Sequence, residues 1–96
     1  KQVRIKQLDL NRKNPDMTKA DLVMANLHHD LLEFLFQSPD FWQARWYIVS
    51  GFFSARDEQL LKALPEKKLH FVSRHCMEKW GLWVLENEEY FHEMVA

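Results

Sequence analysis

The chain has 96 residues, enough for one small domain with little left for a second, and its 47% hydrophobic and 14% aromatic content excludes intrinsic disorder. Thirteen Lys and Arg against 14 Asp and Glu give a net charge of −1, so no basic field exists to drive nonspecific nucleic-acid binding. One cysteine, Cys76, excludes an intrachain disulfide and fits a reducing cytoplasm, and no apolar run approaches the ~18 residues of a membrane span.

Val3 to Leu8 alternates apolar and basic residues and reads as a strand ending at Asp9. Asn11 to Lys19 is polar, contains Asn14-Pro15-Asp16 and reads as a loop. Leu22 to Ala25 is an unbroken apolar run, the pattern of a strand covered on both faces, as in parallel sheets. The period then changes. Leu27, Leu31, Leu32, Leu35 and Phe36 fall on one helical face, and Ser38-Pro39-Asp40 stops the helix.

Arg45 to Gly51 reads as a second buried strand. Ser54 offers a helix cap, Asp57 and Glu58 suit the positive helix end, and Leu60, Leu61 and Leu64 form the inner face before Pro65. Leu69 to Ser73 and Trp80 to Leu85 read as two further strands joined by a connection over Arg74 to Lys79. Glu86 to Ala96 reads as an acidic tail in which Tyr90, Phe91, Met94 and Val95 would share a short helical face. Trp46 and Trp83 should be buried and Trp42 partly exposed.

This order predicts an α/β fold, a mostly parallel sheet with one antiparallel strand from the terminal hairpin. In such sheets ligands sit at the carboxyl ends of the strands, where Asn26 lies. With only Gly51 and Gly81, no glycine-rich phosphate loop can be built from this chain. It begins in a strand without Met, which reads as a single domain (1–96) cut from a longer protein.

Ala20-Asp21-Leu22-Val23-Met24-Ala25-Asn26-Leu27 resembles the fourth strand of the class I S-adenosylmethionine-dependent methyltransferases. It is most similar to the PrmA family, which methylates amino groups of the eleventh protein of the large ribosomal subunit. That family has D-L-V-x-A-N-[IL] here, and a strand ending in Ser-Gly like Ile48-Val49-Ser50-Gly51. Its closing strand resembles Glu78-Lys79-Trp80-Gly81-Leu82-Trp83-Val84-Leu85. The resemblance runs from about Val3 to Glu86, leaving residues 88–96 as a tail. It implies the carboxyl-terminal half of a Rossmann-like catalytic domain, with the Gly-rich loop and the ribose-binding acid upstream of Lys1. One departure stands out: the family's Pro-Gly-Gly turn is replaced by Pro39-Asp40-Phe41-Trp42-Gln43-Ala44.

The resemblance carries roles to four residues. Asn26 would orient the substrate amine, with the Leu27 main chain beside it, and Asp9 and Leu10 would read the adenine of S-adenosylmethionine. Each has a plainer reading: Asn26 as the cap of the following helix, Asp9 as a loop acceptor. His28 and His29, adjacent on a helix, should diverge by about 100° and share no metal ion. His75-Cys76 has no second ligand pair, and Cys76 reads as an idle thiol.

The function implied is part of an N-methyltransferase acting on a protein, a ribosomal one by resemblance, in the cytoplasm. Alone the chain should bind the cofactor weakly or not at all and be inactive. The competing reading is a non-enzymatic interaction domain; no nucleic-acid or membrane partner is expected. In the resembled fold the strand at Asp21–Asn26 lies beside the absent first strand, and that at Val3–Leu8 lies at the far edge beside the absent second. Two repairs follow. Either the lead strand moves into the vacant slot, or two chains pair through the exposed edge as a homodimer.

Overall fold

The computed structural model describes residues 4–9 and 21–89, and for Asp9 the backbone only. Leu10, the loop expected over Asn11 to Lys19, and Tyr90, Phe91, Met94 and Val95 lie outside the described residues.

The elements are β1 (Ile5–Asp9), β2 (Leu22–Asn26), α1 (His29–Phe36), a 3-10 turn (Pro39–Trp42), β3 (Trp46–Phe53), a second 3-10 turn (Ser54–Arg56) leading into α2 (Asp57–Ala63), β4 (Leu69–Met77) and β5 (Trp80–Asn87). They form one sheet in the order β1-β2-β3-β5-β4. β1, β2 and β3 are parallel neighbours, and β5 runs antiparallel to both β3 and β4. Only β5 therefore opposes the common direction, as the element order predicts. The β2–α1–β3 unit is the crossover that a parallel pair requires.

The lead strand occupies the slot beside β2. Its register runs from Ile5 against Leu22 to Asp9 against Asn26, with Arg4 hydrogen-bonded through its amide to Asp21 Oδ2 at 2.8 Å. Of the two repairs, the intramolecular one is what the fold contains. The edge of β2 through which two chains were expected to pair is filled.

The core lies on one face of the sheet. Leu8, Val23, Ala25, Tyr47, Val49, Trp83 and Leu85 meet Leu32, Leu35 and Phe36 of α1, Phe41 and Trp42 of the turn, and Leu60 of α2, all buried. Burial on both faces, expected for the two apolar strands, is not found among the described residues. Leu22, Trp46 and Ile48 are only half-buried and Met24 is exposed, because α1 and α2 cover the same face. Trp83 is fully buried as expected, whereas Trp46 faces the open side.

Trp42 is also a correction, being 4% exposed. Its Nε1 donates to the Phe36 carbonyl at 2.9 Å, and its ring stands edge-on to Phe41 at 4.8 Å. The Tyr47 hydroxyl donates to the Phe41 carbonyl at 2.7 Å and accepts from the Ala44 amide at 2.8 Å. Buried Asn87 donates to the Trp42 carbonyl at 3.0 Å. An aromatic and hydrogen-bonded clasp thus builds the turn for which the resembled family uses glycines.

Several boundaries differ from expectation: β5 runs on to Asn87, so Glu86 and Asn87 belong to the sheet and not to the expected tail. Ser54 makes no side-chain cap; it opens a 3-10 turn, and α2 begins at Asp57. β4 continues through Arg74 to Met77, leaving a two-residue turn at Glu78-Lys79 with Glu78 at φ 57. Pairing with β5 extends a segment whose own sequence lacks strand alternation. Among the described residues no helix is long and apolar enough to cross a membrane.

Candidate substrate-amine site

Register places Asp9, Asn26 and Ser50 side by side at the carboxyl ends of three parallel strands. This is the end of an open α/β sheet where ligands bind. The chain leaves β2 after Asn26, and the Leu27 amide donates to the Ser50 carbonyl at 2.9 Å, so the exit loop stays tied to β3. His28, not Asn26, occupies the cap position of α1 and makes no side-chain cap bond. The capping reading of Asn26 therefore falls away, and its amide is exposed at the strand end.

Gly51 sits against this exit at φ +91. A Cβ there would lie 2.5 Å from Asn26 Oδ1, 2.7 Å from the Leu27 amide nitrogen and 2.9 Å from the Leu27 carbonyl oxygen. The two oxygens flank one point, so they are no further apart than the sum of their distances to it. An amine giving one N–H to each of two acceptors at ordinary length needs them about 4.7 Å apart, which this bound admits. Among the described residues nothing donates to either oxygen. The arrangement is able to accept two N–H groups from one amine and so aim its lone pair.

His28 and His29 are not splayed as expected. His28 precedes the helix, which lets the rings stack at 4.9 Å with 27° between planes. His29 Nε2 lies 3.1 Å from Asp30 Oδ1. Among the described residues no cluster of three or more His, Cys, Asp or Glu side chains is arranged to hold a metal ion.

Asp9 lies directly beside Asn26 through its backbone, whereas the resemblance separates these two strands by two others. In this arrangement the expected adenine-reading and amine-orienting positions sit on adjacent strands. Leu10 lies outside the described residues. Neither glycine is available to cradle a cofactor: Gly51 is held against Asn26 and Leu27, and Gly81 lies under the Phe52 ring. The described residues of this chain do not fit a complete S-adenosylmethionine site.

A second polar group lies elsewhere. Ser54, Asp57, Arg74, His75 and Cys76 line an open cavity of about 200 Å³. Asp57 accepts from Trp83 Nε1 at 2.7 Å and pairs with Arg74. Burial raises the Asp57 pKa, but the hydrogen bonds from Arg74 and Trp83 and the Arg74 charge outweigh it, leaving the carboxyl below its usual value. The exposed Cys76 thiol donates to the Glu78 carbonyl at 3.1 Å. In the sequence Asp57 reads only as a helix-start charge. Its partners lie 17 and 26 residues away, and no local signal marks them. The Gly51 contact had a faint signal, the Ser-Gly strand end.

No protein-family model matches the sequence, and neither does any curated protein. Among solved structures, the chain is similar to the ribosomal protein L11 methylase from Lactobacillus delbrueckii subsp. bulgaricus, with a TM-score of 0.62 and 21% identity over 72% of this chain. It spans 37% of that structure. The chain thus shares the α/β fold of a part of that structure.

Proposed function

We propose that this chain is the substrate-side part of an S-adenosylmethionine-dependent N-methyltransferase domain, with Asn26 Oδ1 and the Leu27 carbonyl holding the methyl-accepting amine. The observation that carries the reading is the convergence of these two oxygens over Gly51 at the carboxyl edge of a methyltransferase-like sheet. Methyl transfer to nitrogen is an in-line displacement, so aligning the lone pair is the main task of the substrate side. The acceptor is a protein amine, a ribosomal one by analogy with the structural neighbour, and the setting is cytoplasmic. Residues 1–96 act as one unit of a larger catalytic domain.

Asp9 and Leu10 are assigned to the adenine once the missing strands are present, which requires β1 to leave its place beside β2. Alone, the chain is inactive. Calorimetric titration with S-adenosylmethionine is expected to show weak or no binding, and low-micromolar binding would overturn the reading. The filled slot beside β2 favours a second reading, a self-sufficient interaction domain without catalysis. Self-association would then use the outer edge of β1 or the open sheet face. Methylase activity regained on adding an upstream half with a glycine-rich loop separates the two.

A further inference from the structure

Gly51 lies in β3 where a side chain would run into both proposed amine acceptors. Its φ of +91 lies where L side chains are strained, and the place of its missing Cβ falls within 2.5–2.9 Å of Asn26 Oδ1 and the Leu27 peptide. Real Cβ atoms do not approach oxygen or amide nitrogen so closely. The Leu27 peptide cannot retreat, because its N–H is bonded to the Ser50 carbonyl at 2.9 Å. The Asn26 side chain is exposed and bonded to nothing among the described residues, so it is the group that would give way.

We infer that Gly51 is a positioning residue for the amine site: by presenting bare backbone, it lets the Asn26 amide lie against β3 with its oxygen beside the Leu27 carbonyl. Any side chain at 51 swings the Asn26 oxygen away and leaves a single acceptor. A neutral amine held by one acceptor rotates about that bond, and its lone pair loses direction. This rests on the proposed amine-holding role of Asn26 and adds a residue that touches neither substrate nor cofactor.

The test uses the isolated, isotope-labelled chain and methoxyamine, an amine that is uncharged at neutral pH, as probe, followed through the Asn26 side-chain amide and the Leu27 backbone amide by NMR. The unaltered chain is expected to give one saturable shift at both groups. Asn26→Ala should abolish the response at Leu27, and Gly51→Ala should weaken the apparent affinity at least tenfold. No saturable response in the unaltered chain would overturn the amine-site reading itself and this inference with it. A response lost in Asn26→Ala but kept within twofold in Gly51→Ala would leave the reading standing and overturn the positioning role. Should Gly51→Ala fold poorly, the side-chain rotamer of Asn26 in the unaltered chain, read from its χ1 scalar couplings, decides: the inference expects one fixed rotamer with Oδ1 against Gly51, and averaging over rotamers would overturn it.

Discussion

Replacing Tyr47 by Phe removes one oxygen from the best-defined clasp in the fold while leaving the ring in place. The hydroxyl joins two groups that have come out of water: it accepts from the Ala44 amide at 2.8 Å and donates to the Phe41 carbonyl at 2.7 Å. Tyr47 is fully buried, Ala44 is 1% exposed and Phe41 2%, so neither orphaned group regains a water without local opening. An unsatisfied buried donor or acceptor costs about 1–3 kcal/mol. The donor dominates here, since a carbonyl tolerates an unused lone pair better than an amide tolerates a lost acceptor. The expected loss for Tyr47→Phe is about 2–3 kcal/mol, out of roughly 5–14 kcal/mol for a chain of this length. At about 4–8 °C per kcal/mol for a domain near 100 residues, the melting temperature should fall by roughly 10–20 °C. Urea unfolding followed by tryptophan fluorescence measures it, with an unchanged m-value showing that the same surface is exposed. A loss below about 0.5 kcal/mol would mean that the turn over Pro39–Trp42 is held by its rings alone, and the hydrogen-bond argument would fail.

Two further outcomes are expected. Asp57→Asn should cost about 1 kcal/mol at neutral pH, discounted for the partial exposure of the Arg74 pair. The Asp57 pKa is depressed on folding, so its contribution is full above the ordinary carboxylate range near pH 4 and is lost as pH falls through the lower folded value. The gap between wild type and Asp57→Asn should therefore close in acid, and denaturant melts showing a constant gap from pH 7 down to pH 2 would refute the assignment. Gly81→Ala should cost about 1–3 kcal/mol by overpacking: its new methyl would meet the ring of Phe52, which is 1% exposed and packed on Trp83 at 5.3 Å. An unchanged melting temperature would show that the Phe52 ring moves freely.

The amino-acid sequence by itself determined the elements, their order and the one strand that runs against the rest. Those features are written in short-range periodicity: Leu27 to Phe36 keeps one helical face, and the apolar runs at Leu22–Ala25 and Trp46–Val49 are strands in any packing. The resemblance at Asp21–Leu27 marked the strand end to which the amine site is assigned in the proposal, because Asn26 and Leu27 are consecutive and need no partner to be noticed. Four features required the tertiary structure. Which face of β2 and β3 is covered depends on where α1 and α2 pack, and a four-residue apolar run looks the same with one face covered or two. The clasp over Pro39–Trp42 joins Phe36, Tyr47 and Asn87, and the Asp57–Arg74–Trp83 group joins α2 to two strands. Neither has a local pattern, since each is assembled from residues brought together only by sheet pairing. The place of β1 was left open between two repairs for the same reason. Val3–Leu8 has the alternation of an edge strand, but alternation does not name a neighbour. The backbone groups along β2 do, because an apolar strand with an empty edge gains a full ladder of hydrogen bonds from the nearest strand able to reach it.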